Sequence, residues 1–286
     1  MKREKGDERL SLFIRRAIAY LVLSILTFLC LFFFYCLLVN STRSHPEISK
    51  GFSFIPGKSF FSNLKNVLQN ENLPVLHGIW NSFFIATVSA VSSVYIATLT
   101  AYGIYAYDFK MKKAAYMFIL MVMMIPTQVT TLGFIQVITK MKLLDTFVPL
   151  VTYKMVNPVV FYFMISYMES NLALEIVESS RIDGAGEFRT FNQIVMPIMK
   201  PAVAVELIFT FVESWNNYFM PSLVIKTATK KTLPILIAQL RSADFLKFDM
   251  GQVYMLVFIA IIPVAIVYLC LSKFIIRGVT EGSVKG

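Results

Sequence analysis

"EIVESSRIDGAGEFRTFNQIVMPIMKP", Glu175–Pro201, places acids, arginines and glycines between stretches that are otherwise apolar. Val177, Ile182, Ala185, Phe188, Phe191 and Val195 recur at three- to five-residue steps, close to the spacing of one helical face, while Glu175, Glu178, Arg181, Glu187 and Arg189 occupy much of the rest. The pattern predicts an amphipathic helix pair. Asp183-Gly184-Ala185-Gly186 interrupts it. Glycine inside a helix costs about 1 kcal/mol relative to alanine and Asp is a good N-cap, so a tight turn is expected, with the second helix starting at Asp183. Pro197 and Pro201 are expected to stop that helix and start the next element. A glycine at such a turn also leaves room for another backbone.

The flanks of this segment set its context. The chain of 286 residues is 57% hydrophobic, 14% aromatic and 15% charged, with a mean hydropathy of +0.66, values of a multi-span membrane protein. No Asp, Glu, Lys or Arg falls between Arg16 and Arg43, Glu71 and Asp108, Lys113 and Lys140, or Asp249 and Lys273. An apolar window of roughly 18 residues crosses the bilayer core as a helix. Two further stretches are long enough despite Lys154 in one and Glu206 and Glu213 in the other. The expectation is an all-α integral membrane protein with transmembrane helices near 14–39, 79–106, 114–138, 147–168, 201–225 and 251–275. Residues 1–13 are the expected cytoplasmic N-terminus, 40–78 an extracytoplasmic loop with one short helix, and 79–276 the transmembrane core with the polar loop at 170–198. Residues 277–286 form a cytoplasmic tail.

The first apolar run is longer than a signal-peptide core and lacks small residues at its end, so it is read as a retained helix. The net charge of +10 is placed by the rule that short cytoplasmic loops are rich in Lys and Arg. Lys2, Arg3, Lys5, Arg9, Arg15 and Arg16 put the N-terminus inside, and Lys110, Lys112 and Lys113 do the same for the second loop. Both termini and Glu175–Pro201 are then cytoplasmic. Nucleic-acid binding is not expected. Cys30, Cys36 and Cys270 fall inside predicted spans and read as small apolar residues rather than a disulfide set. His45 and His77 have no acidic or Cys neighbours at ligand spacing, and no metal site is expected. Asn40-Ser41-Thr42 matches a glycosylation acceptor, a pattern common by chance.

The opening stretch resembles the "EAA" loop of ATP-binding-cassette importer permeases: a Glu-Ala-Ala triplet, a Gly about one turn on and a Pro further along. Glu178-Ser179-Ser180, Asp183-Gly184-Ala185 and Pro197 hold those places. More specifically, the chain is similar to the carbohydrate-uptake branch, the relatives of the maltose-transporter inner permease. Asn81-Ser82, Ile125-Pro126, Ile182-Asp183-Gly184-Ala185, Trp215-Asn216, Ile262-Pro263 and the ending Gly278-Val279-Thr280-Glu281-Gly282-Ser283-Val284-Lys285-Gly286 carry that likeness from about residue 50 onward. Ser179 and Ser180 replace the family's alanines, and Ala173 its usual proline.

The resemblance implies a cytoplasmic coupling helix between spans four and five, docked on an ATPase subunit through Glu178, Ser179, Ser180, Asp183, Gly184 and Ala185. Gly282 and Lys285 in the tail would reach toward the ATPase dimer. It also implies the partners: a second homologous permease, two ATP-binding subunits that hold ATP and Mg, an extracytoplasmic solute-binding protein, and membrane lipid. The membrane it implies is the inner (plasma) membrane of a prokaryote. No cofactor is expected in this chain. Periodicity alone favours a solvated loop covering the ends of neighbouring spans, and the motif set reverses that preference.

Intramembrane charges cost about 2.5 to 3.5 kcal/mol each on insertion scales. Glu206 and Glu213, seven apart, share a helical face that should look at protein or water. Gln128, Asn157, Glu213, Asn216 and Asn217 are candidates for a polar path for a hydroxyl-rich solute, or alternatively join helices to each other or to a partner. The chain has no phosphate-binding Gly-x-x-x-x-Gly-Lys-Ser/Thr, so a transport subunit rather than an enzyme is expected. The alternative is an ion-coupled carrier or channel running on Lys154, Glu206 and Glu213.

Overall fold

The computed structural model describes residues 2–70, 73–242 and 249–283, and all regular structure among them is helical. In chain order the helices are α1 (Lys2–Ser41), α2 (His45–Ser49), α3 (Phe60–Leu68), α4 (Val75–Ala106), α5 (Lys112–Met123), α6 (Thr127–Lys140), α7 (Val148–Met155) and α8 (Pro158–Asn171). They continue as α9 (Leu174–Ile182), α10 (Glu187–Thr190), α11 (Met196–Ile198), α12 (Lys200–Trp215), α13 (Phe219–Val224), α14 (Leu233–Arg241) and α15 (Met250–Ser283). A π turn at Phe191–Val195 joins α10 to α11.

Leu12–Ser41, Val75–Ala106, Val148–Asn171 and Met250–Ser272 are each long and apolar enough to cross a membrane. Two bent pairs reach that standard together: Lys112–Met123 with Thr127–Lys140, at 98°, and Glu187–Ile198 with Lys200–Trp215, at 82°. The expected helix at 114–138 is therefore broken in two. Pro126 (φ −57, ψ 131) lacks the N–H that would continue the ladder and disfavours helix in the residue before it. The expected helix at 201–225 also ends early, at Trp215. The chain turns there, and Asn217 Oδ1 accepts from the Met220 amide at 3.2 Å as α13 begins. Pro197 lies inside α11 rather than ending a helix, and the break falls at Met199. Pro201 then occupies the first turn of α12, where a missing N–H loses nothing.

Other boundaries shift as well. Helix α1 begins at Lys2, with no break between 1–13 and 14–39. Segment 40–78 holds two short helices, α2 and α3, and the start of α4. The Asn40-Ser41 acceptor pattern is itself helical and Ser41 is buried. Helix α15 reaches Ser283, so the described part of the expected tail is helical.

The chain divides into two units: the described residues of Met1–Gln69 with Ala243–Ile259, and those of Asn70–Ser242 with Ala260–Gly286. In the first, buried Arg43 donates to Asn40 Oδ1 (3.1 Å), Gly51 O (3.0 Å) and Glu47 O. Asn63 donates to Ser41 O and Arg43 O, both at 2.9 Å.

Helix α4 is the centre of the second unit, packed against α12, α8 and α7. Its buried face carries Ala86, Ser89, Ala90, Ser93, Ala97 and Ala101, small residues that let membrane helices approach closely. At one end of α4, buried Asn81 donates to Thr229 O (2.8 Å) and Lys231 O (3.1 Å), and Ser82 Oγ accepts from Leu233 N (2.8 Å). At the other end, Tyr102 and Tyr105 bond the 172–187 segment. At 1.5 Å per residue, Asn81 and Tyr102 lie about 30 Å apart, the thickness of a hydrocarbon core.

Near the Asn81 end a second clasp closes the bundle. Asp145 (φ 60) accepts from Lys226 N and Thr227 N (both 2.9 Å), Thr227 Oγ1 (2.6 Å) and Lys230 Nζ (3.3 Å). The Thr227 hydroxyl and amide and then the Lys226 amide hold the Asp145 carboxyl well below the usual carboxylate range. A depressed folded-state pKa stabilises above the unfolded value of about 3.9 and is lost only as pH falls through the lower folded value. The clasp is thus expected to be constant between pH 5 and 8. Asp145→Ala is expected to remove hydrogen-exchange protection at the Lys226 and Thr227 amides across that range, while the α4 core amides stay protected.

Candidate functional site

The 172–198 segment is built around a helix end whose chemistry differs from the expected one. The Gly184 amide donates to Arg181 O and the Ala185 amide to Ser180 O, each at 3.0 Å, and Gly184 sits at φ +79. That pairing is a Schellman C-cap, which needs a left-handed residue just beyond the helix. Gly184 supplies it at no steric cost. Asp183 is therefore the C-cap of α9, not the N-cap of the second helix, and α10 begins at Glu187 after Gly186. The local rule that favours Asp as an N-cap yielded to glycine's stronger preference for the left-handed position.

The apolar positions divide into two sets. Val177, Phe191 and Val195 are buried in a core with Tyr102, Met164, Met168 and Leu172. Ile182 and Phe188 are 86% and 75% exposed, on either side of the Gly184 turn. One set roots the loop in the bundle and the other forms an uncovered apolar edge beside an open glycine. A Cβ at Gly184 would meet nothing within 4 Å. Glu178, Ser179 and Asp183 are exposed on the same segment, and Ala185 is half-buried. Ser180 is the exception among the expected docking residues. It is buried, with Oγ 2.8 Å from Val177 O and 3.0 Å from Thr190 Oγ1, so it closes α9 onto α10 rather than facing outward. Gly282 lies in the last turn of α15, and Lys285 lies outside the described residues.

Sequence reasoning did not find the groups that hold this loop. Arg181 Nε donates to Glu187 Oε1 at 2.8 Å, Tyr102 OH donates to Glu187 Oε2 at 3.0 Å, and the guanidinium lies 4.8 Å from the centre of the Tyr107 ring. Hydrogen bonding to Glu187 raises the Arg181 pKa above its usual value. Tyr105 OH donates to Leu172 O (2.8 Å) and Tyr95 OH to Asn192 Oδ1 (3.2 Å). The available signal was Tyr95, Tyr102 and Tyr105 at i, i+7 and i+10, one face of a helix.

The candidate path residues are dispersed in their roles. Among the described residues no hydrogen bond or ion pair joins any two of them. Asn157 Oδ1 caps α8, accepting from Val159 N (3.0 Å) and Val160 N (3.4 Å). Asn217 starts α13, Gln128 and Asn216 are exposed, and Glu213 pairs with Lys154. The Lys154 side chain is 12% exposed and that of Glu213 56%, so α7 and α12 are joined by a pair whose cation is the more enclosed partner. Lys154→Ala removes the more enclosed member of the pair and leaves the Glu213 carboxylate without its partner. The expected outcome is reduced folded protein in membranes, restored by the exchange Lys154→Glu with Glu213→Lys and read by fluorescence-detected size exclusion.

The fold is that of an all-helical membrane protein carrying a polar loop. Residues 93–281 match the family described as "Binding-protein-dependent transport system inner membrane component", and the chain belongs to that family. It is 30% identical over 267 residues to the arabinooligosaccharides transport system permease protein AraQ of Bacillus subtilis, covering 91% of this chain and 92% of that protein. It is 25% identical to the lactose transport system permease protein LacG of Rhizobium radiobacter (94% and 96% covered), and 27% identical to the sn-glycerol-3-phosphate transport system permease protein UgpE of Yersinia pestis (92% and 95%). A crystal structure of a bacterial ABC transporter involved in the import of the acidic polysaccharide alginate contains a chain of the same fold. The TM-score is 0.79 at 20% identity, covering 91% of this chain and 96% of that one. Family membership makes this chain a transport subunit rather than an enzyme, as its sequence suggests.

Proposed function

We propose that this chain is one of two similar permease subunits of an ATP-driven importer that carries a mono- or oligosaccharide delivered by an extracytoplasmic binding protein. A second homologous permease completes the pathway, and two ATP-binding subunits hold the ATP and Mg. The bent pairs each count as one span, giving six in the inner membrane with both termini and the 172–198 loop in the cytoplasm. Two of the three relatives are named for sugars and the third for a sugar-sized polyol phosphate, which supports a hydroxyl-rich solute.

The observation that carries the docking role is the uncovered edge of Ile182, Gly184 and Phe188 on a loop rooted by buried Phe191. Helix α9 is the coupling helix, with Glu178, Ser179, Asp183, Gly184 and Ala185 at the ATPase surface. A rigid helix rooted in a bundle transmits rigid-body shifts of whatever it docks on. Gly282 and Lys285 remain the proposed tail contacts. The candidate path residues Gln128 and Asn216 are the two that present exposed amides, whereas Asn157, Glu213 and Asn217 serve the bundle in this conformation.

Proteoliposomes holding the co-purified complex and a binding protein test the reading. Uptake of arabinooligosaccharide or lactose is expected only with ATP and Mg on the face that carries the 172–198 loop. Uptake driven by an ion gradient without ATP would overturn it in favour of a secondary carrier.

A further inference from the structure

We infer that α4 receives the movement of the docking loop, through the hydroxyls of Tyr95, Tyr102 and Tyr105 acting as positioning groups. This rests on the docking role proposed above and extends it from where the loop binds to how the bundle responds.

Along the chain, the route from α9 into α12 is a poor transmitter. It passes the Gly184 turn, the π turn at Phe191–Val195 and an 82° bend at Met199. Irregular joints of that kind are where helices yield. The lateral route is short and rigid. Tyr105 holds Leu172 just before α9, Tyr102 holds Glu187 just after the turn, and Tyr95 holds Asn192 inside the π segment. All three donors lie on one face of one unbroken helix, so the loop is fixed to α4 at its start, middle and end.

The middle bond joins a further link. Glu187 accepts from both Tyr102 and Arg181, and Arg181 belongs to α9. A displacement of α9 is thereby delivered to α4 across the Gly184 turn without crossing the bend at Met199. Helix α4 in turn packs on α12, α8 and α7, so tilting it moves most of the unit together. Tyr102 is buried against the Phe191 ring at 5.6 Å, which leaves its hydroxyl little freedom to release Glu187.

The test is the triple variant Tyr95→Phe, Tyr102→Phe, Tyr105→Phe, which keeps every ring and removes only the three donors. It is purified with its partners and reconstituted alongside wild type. The ATPase subunits are expected to remain bound and ATP hydrolysis to continue. Solute moved per ATP is expected to fall about fivefold or more, the lower end of a typical coupling between sites. Glu187→Gln, which keeps an acceptor oxygen, is expected to fall less than Glu187→Ala. Unchanged transport per ATP in the triple variant, with partners bound, would overturn the inference and leave the docking role standing. Absence of an ATPase from the wild-type complex would overturn the docking role and this inference with it.

Discussion

Gly184→Trp is expected to strip the ATPase subunits from the purified complex and to abolish ATP-driven uptake while leaving the permease folded. The site is open, since a Cβ there meets nothing beyond its chain neighbours within 4 Å, and the indole is added at an exposed position. It adds bulk on a turn flanked by exposed Ile182 and Phe188 and is expected to exclude a partner from close approach. A hot spot at the centre of an interface contributes about 2 kcal/mol or more, which is roughly 30-fold in affinity. Gly184→Ala separates the two consequences of losing the glycine. It imposes the same left-handed strain at φ +79 without bulk, and is expected to weaken docking far less than Trp. Quantitative mass spectrometry of affinity-purified complexes reads both variants in one experiment.

Phe191→Ala is expected to have the largest effect on folding. Phe191 is fully enclosed, with Tyr95 and Tyr102 rings at 5.5 and 5.6 Å, in the core that also buries Val177, Val195, Met164 and Met168. Truncating an enclosed phenylalanine costs about 3 to 5 kcal/mol through lost burial and the cavity left behind. Because Phe191 anchors the loop, the variant is expected to lose ATPase docking as well as thermal stability, although the residue is not at the surface. Phe188→Ala, on the exposed edge, is expected to lose docking with little change in thermal stability. The pair distinguishes root from contact.

The contrast between Phe188 and Phe191 shows how far the sequence could be read. Both belong to the same apolar periodicity, and a helical wheel assigns them one face. Only the tertiary fold separates them: Phe191 is enclosed in the core with Tyr102 and Met164, whereas Phe188 is left exposed. The apolar spans were legible because the bilayer imposes length and composition on each segment. Their bends were less so. Pro126 announced a break but not its 98° angle, and Met199, where the fifth segment turns, carries no signal of its own beside two prolines that suggested other boundaries.

The site divides in the same way. Asp183-Gly184 marked a turn correctly, yet which helix it belonged to depended on the hydrogen bonds from Gly184 and Ala185 back to Arg181 and Ser180. Ser180 read as a docking residue because of its place in the triplet, whereas its burial against Thr190 makes it structural. Lys154 and Glu213 stood out as costly charges. Nothing in their separation along the chain announced that each is the other's partner.

The most direct measurement of the central claim is photo-crosslinking from a single position in intact cells. Ile182, 86% exposed on the proposed docking edge, is replaced by a photoreactive residue, and Phe61, 80% exposed on α3, serves as the comparison. The Ile182 adduct is expected to contain an ATP-binding subunit and the Phe61 adduct to lack one. An Ile182 adduct with lipid or this chain alone, or an ATP-binding subunit captured from Phe61, would contradict that claim.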